Sequence, residues 1–128
     1  MLNPSAEAQP GDILFGENNL NQPGVRPHFI IFLDPDPANA GMFLGAMLTH
    51  SPRFKNISLE EDHFEKNDEH GNPWQVQFEK SFIAGDLYHK KEEWRPFTKV
   101  GQLSKAGLDF VRQSIGGKNP VFSPLNKD

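Results

Sequence analysis

The stretch that most constrains this chain is His28-Phe-Ile-Ile-Phe-Leu33, set between Pro27 and the turn sequence Asp34-Pro-Asp-Pro37. It is a near-continuous run of β-branched and aromatic residues. Because odd and even positions are both apolar, neither face of a strand here can be given to water. The run therefore predicts a strand in the middle of the core, covered on both sides.

The rest of the sequence supplies partners for it. Asp12-Ile-Leu-Phe15, after the turn signal Pro10-Gly11, reads as a first strand, and Met42 to Leu48 as a third, closed by Pro52. Gly45 inside that run is expected to mark a bulge or a close backbone approach. Between the first two strands, Gly16 to Pro27 is a polar loop longer than a tight hairpin, and such loops are often functional. Residues 53–73 are polar and acidic, with at most a short edge strand near Asn56 to Leu59 and a turn at His70-Gly-Asn-Pro73. Trp74-Gln-Val-Gln-Phe78 alternates like a half-buried strand. Ser81-Phe-Ile83 is another short strand, Asp86 to Arg95 a charged connection, and Phe97 to Val100 the last strand.

A helix over about 104–115 follows. Ser104 suits the N-cap, Leu108, Val111 and Ile115 recur at helical spacing, and Gly116-Gly117 supplies the stop. Gly107 within it costs up to about 1 kcal/mol relative to Ala. The expected fold is thus mostly β, a small barrel capped by a C-terminal helix. It forms a single domain over 1–128, with its core at about 10–116 and residues 1–9 and 117–128 as loosely held tails.

Length and composition agree. A chain of 128 residues buries one modest core. With 36% hydrophobic residues, global disorder is not expected. Eleven Pro and eleven Gly suit many turns and short elements. Without cysteine there are no disulfides and no thiolate metal sites. The N-terminal MLNPSAEAQP has neither the basic start nor the apolar stretch of a secretory signal. No apolar run approaches the roughly 20 residues of a membrane helix. A cytoplasmic protein with no membrane partner is expected. The net charge is −4, but six acidic side chains crowd residues 60–70 beside Lys66, whereas residues 80–105 carry six basic and three acidic ones. That distribution is compatible with a local basic groove and not with a strongly basic surface.

Few side chains suggest chemistry by themselves. His63 to His70 (HFEKNDEH) has no recognised ligand spacing and reads as a solvated loop, so no metal is expected there. Trp74, Phe78 and Phe82 are aromatic enough to stack bases, although in a small barrel such residues more often fill the core. No Ser sits in a G-x-S-x-G elbow, which argues against an esterase-like hydrolase.

Four fragments carry more when taken together: Pro10-Gly-Asp-Ile-Leu-Phe15, Gly24-Val-Arg-Pro-His-Phe-Ile-Ile31, Ala46-Met-Leu-Thr-His-Ser51 and Lys99-Val-Gly-Gln-Leu-Ser-Lys105. In this order they resemble the MazF/PemK family of growth inhibitors, the toxins of toxin–antitoxin systems, over about residues 10–115. The resemblance implies an SH3-like barrel that forms a homodimer and cleaves single-stranded RNA as an endoribonuclease. It also implies an antitoxin protein whose peptide occupies the groove. The family's catalytic Arg falls on Arg26 and its catalytic Thr or Ser on Thr49. No cofactor is needed, because the neighbouring 2′-OH of RNA is an internal nucleophile. A guanidinium offers a fixed fork of donors to the dianionic phosphorane, and a Thr hydroxyl adds a hydrogen bond to a phosphate oxygen.

Residues next to this pair compete or assist. Imidazoles change charge close to neutral pH, which makes His50 a candidate general acid or base, although strand alternation turns it from Thr49 unless the strand has ended there. Ser51 lies on Thr49's side and is a second candidate hydroxyl. His28, two residues after Arg26, shares its face and is a candidate for substrate contact. Lys90 and Lys91 stand where the family has a charged segment beside its groove, which makes them candidate phosphate contacts.

The chain also departs from the family pattern. Arg26 is the only basic residue of the Gly16–Pro27 loop, Gly85-Asp-Leu-Tyr88 replaces a segment that often carries an Arg, and residues 53–73 are long and acidic. These departures favour the alternative of a catalytically inactive SH3-like binding module for a peptide or nucleic acid.

Overall fold

The computed structural model describes residues 7–16, 28–37, 42–50, 56–76, 81–85, 87–91 and 97–122. Its strands are β1 (Asp12–Gly16), β2 (His28–Pro35), β3 (Met42–Thr49), β4 (Ile57–Ser58), β5 (Phe82–Ile83), β6 (Tyr88–Lys91), β7 (Phe97–Gln102) and β8 (Val121–Phe122). Helix α1 (Lys105–Ile115) lies between the last two. The protein is mostly β with a C-terminal helix, as the sequence suggests, and Ser104 caps that helix through Oγ, which accepts from the Gly107 N–H at 3.1 Å.

β2 stands in the middle, antiparallel to β1 on one side and β3 on the other, in the order β4-β5-β3-β2-β1-β7. β6 pairs with the first half of β3, and β8 runs parallel to β6. The apolar run behaves as its pattern requires. Ile30 and Phe32 join Leu14, Phe43 and Phe97 on one face, while Ile31 and Leu33 join Ile13, Ala46 and Leu48 on the other, beneath Val111 and Ile115 of α1. Each such side chain taken fully out of water contributes about 1.5–3 kcal/mol, so this double burial is what holds the sheet. The register between β2 and β3 shifts between Phe32 and Asp34, opposite Gly45. A Cβ at Gly45 would stand 2.8 Å from the Ile31 carbonyl oxygen, so the glycine marks both the irregularity and a close approach.

The sheet is not closed by a complete ladder. β4 and β7, at its two ends, are not paired with each other among the described residues. The segment after β4 does come round to the end of β7, through one bridge between Phe64 and Leu103 and a hydrogen bond from the Glu65 N–H to the Gln102 carbonyl.

Four expectations are corrected. Residues 74–76 form no strand: the Trp74 N–H donates to the Lys66 carbonyl and the Val76 N–H to the Val100 carbonyl of β7, and Phe78 lies outside the described residues. The charged connection 86–95 contains β6, whose backbone pairs with β3 whatever its side chains. The tail from residue 117 is not loose throughout, because Val121 and Phe122 pair with Tyr88 and His89. Finally, the acidic segment is not simply a solvated loop. His63 and Phe64 are buried, and the His63 ring stacks on Phe110 with centroids 4.6 Å apart. His63 Nδ1 accepts from the Glu60 N–H at 2.9 Å, and Ser104 Oγ donates to the Asp62 carbonyl at 2.6 Å.

The first and last of the four sequence fragments interlock. Gly11, at φ +93, donates its N–H to the Phe32 carbonyl and accepts from the Leu103 N–H. Asp12 pairs with Lys99 at 2.9 Å. These residues build the scaffold.

Candidate functional site

At the end of the sheet where β2 begins and β3 finishes, the strand registers align one residue from each of six strands. Phe97 of β7 faces Gly16 of β1, and Gly16 faces His28 of β2. Thr49 of β3 faces Phe82 of β5, which in turn faces Ser58 of β4. Between these two sets the β2–β3 register pairs Phe29 with Leu48, and one step further it sets His28 across from Thr49. Residues directly opposite one another share a face of the sheet. The row Phe97–Gly16–His28–Thr49–Phe82–Ser58 is therefore one cross-strand line, on the side where Met47 packs against Phe97's cluster.

The two ends of the row differ in character. On the β7 side the Phe97 ring is buried over Gly16, where a Cβ would stand 2.7 Å from its Cε1. On the β4 side the row opens: Thr49 and Phe82 are half-buried and Ser58 is exposed. His50 follows Thr49 as a bend beyond the strand and is exposed, so strand alternation no longer dictates its direction.

Arg26 and Ser51 lie outside the described residues. Lys90 and Lys91 are placed elsewhere. Their backbones pair with Phe43 and Met42, and Phe43 is six positions along β3 from Thr49, or about 20 Å of extended strand. Thr49, His50 and the His28 backbone thus come together, and the two lysines do not join them. Phe82 and Ser58, which sequence reasoning did not assign to the site, sit beside Thr49. No sequence signal could have placed them, because the partner of a two-residue strand is set by register.

Among the described residues, two surface clefts lie away from this row. One, of about 250 Å³, is lined by Leu33, Asp34, Leu44, Leu87, Arg112 and Gly116, with the Arg112 guanidinium 3.6 Å from Asp34. The other, of about 440 Å³, is walled by Glu60, Glu61, Asp62, Phe64 and Lys66. Among the described residues no three His, Asp or Glu side chains converge to hold a metal ion, and no helix is long and apolar enough to cross a membrane. Compared with known proteins, the chain matches no family model and no curated protein.

Proposed function

We propose that the protein is an endoribonuclease toxin that cleaves single-stranded RNA at the Thr49 end of the sheet, with Arg26 and Thr49 as its reacting-site residues. The observation that carries this reading is the register that sets His28 across from Thr49, because Arg26 precedes His28 by two residues. In the proposed reaction the 2′-oxygen attacks the adjacent phosphorus and loses its proton, while the bond to the 5′-oxygen breaks and that oxygen gains one. The products are a 2′,3′-cyclic phosphate and a 5′-hydroxyl. Arg26 offsets the charge that builds on the non-bridging oxygens, Thr49 donates to one of them, and His50 is the group suited to proton transfer. An antitoxin protein and a second copy of the chain are the proposed partners.

Placement of Lys90 and Lys91 about 20 Å along β3 favours the second reading, a non-cleaving module that binds a peptide or nucleic acid at the same end. The two separate on incubation of purified protein with mixed-sequence single-stranded RNA in chelator. The first expects fragments ending in cyclic phosphate, no cleavage of 2′-deoxy substrate, and loss of cleavage in Arg26→Ala. RNA left intact both with and without divalent metal would overturn it.

A further inference from the structure

We infer that Phe82 is the base-stacking platform of this site, holding a nucleobase of single-stranded RNA while the neighbouring phosphate lies at Thr49; the inference rests on the RNA reading above. The juxtaposition comes from two strand registers. Phe82 faces Thr49 on one side and Ser58 on the other, so a phenyl ring stands between two hydroxyl-bearing residues on one face. Adjacent strands are about 4.8 Å apart, which puts the ring one strand from the proposed phosphate contact.

Among the described residues, the two buried clusters do not account for Phe82. It packs against neither, although its neighbour Ile83 is fully buried in one of them. A half-buried aromatic side chain beside an opening row offers a π-face that every base can use. Its backbone is held on both sides, because β5 lies between β3 and β4. A platform fixed in this way needs little ordering when a base arrives.

The test is the affinity of a fluorescent mixed-sequence 2′-O-methyl RNA, which cannot be cleaved, measured by anisotropy for the whole chain and three variants. Phe82→Ala is expected to bind about 5- to 150-fold more weakly, the range for one stacked base. Phe82→Trp is expected to bind like the parent, while Phe82→Leu, with apolar bulk but no π-face, stays weak. The slope of log affinity against log salt is unchanged across the series. If the parent binds and Phe82→Ala or Phe82→Leu binds equally well, the platform is refuted while the RNA reading stands. If the parent itself does not bind, both fall.

Discussion

Gly107 of α1 lies directly against the backbone of His63, where a Cβ would stand 2.1 Å from the carbonyl oxygen and 2.8 Å from the carbonyl carbon. The carbonyl that crowds this position accepts from the Ser104 N–H at 2.9 Å, so the 60–64 segment and the start of the helix are fixed together. Helix propensity alone predicts that Gly107→Ala stabilises the protein by about 1 kcal/mol. The contact predicts the opposite sign, a loss of about 1–3 kcal/mol, because the atoms in the way are backbone and cannot rotate aside. Gly117→Ala, where a Cβ meets nothing within 4 Å, is the control and should shift stability by no more than about 0.5 kcal/mol. Urea midpoints for the two variants decide it; a rise for Gly107→Ala would show that the contact is loose.

This glycine shows what the sequence could and could not disclose. The residues that make α1 were legible in their spacing and caps, and β2 in its unbroken apolar run, because both signals are local. Gly107 looked like a defect because the reason for it sits 44 residues away in His63. The acidic segment was misread for the same reason: its composition describes the exposed Glu60, Glu61 and Asp62, whereas His63 and Phe64 turn inward. The candidate site was legible only in part. Thr49 at the end of an apolar strand was readable, but Phe82 and Ser58 reach it through registers that no pattern in two-residue strands records. The fragments that carried the family resemblance also divide in their roles, Gly11, Asp12, Lys99 and Leu103 serving to hold β1, β7 and the segment before α1 together.

The turn at Asp68 should respond to acid. Hydrogen bonds from the Asn72 N–H, and then the His70 N–H, both 2.9 Å from Oδ1, hold the Asp68 carboxyl below its usual value of 3.8. A lowered folded value means that the carboxylate's contribution is fully present above 3.8 and is lost as pH falls through the lowered value. Amide shifts of His70 and Asn72 followed by NMR should therefore move together below that pH, while those of α1 stay in place. In Asp68→Asn the step should vanish. Movement of both amides with a midpoint above 3.8 would contradict the assignment.

The ion pair between Asp12 and Lys99 makes the sharpest prediction about the scaffold. The Asp12 side chain is only 5% exposed, with Oδ2 accepting from the Gln9 N–H and Oδ1 2.9 Å from Lys99 Nζ. Lys99 is 32% exposed, lies 5.0 Å from the centroid of the Trp74 ring and donates to Gln102. Lys99→Met keeps the apolar stem and removes the charge, which leaves a buried carboxylate without its cation. Breaking a fully buried pair costs about 3–5 kcal/mol, and solvent reaching Lys99 lowers the expected loss to about 2 kcal/mol. Asp12→Asn should lose less, since an amide is easier to bury than an unpaired charge. In the double variant the penalty for Lys99→Met should largely disappear, giving a coupling energy of at least about 1 kcal/mol. Urea unfolding of the four proteins measures that coupling directly. Strictly additive losses would mean that each residue acts through its other neighbours, Gln9 for the carboxylate and Trp74 for the lysine, and that the ion pair contributes nothing of its own.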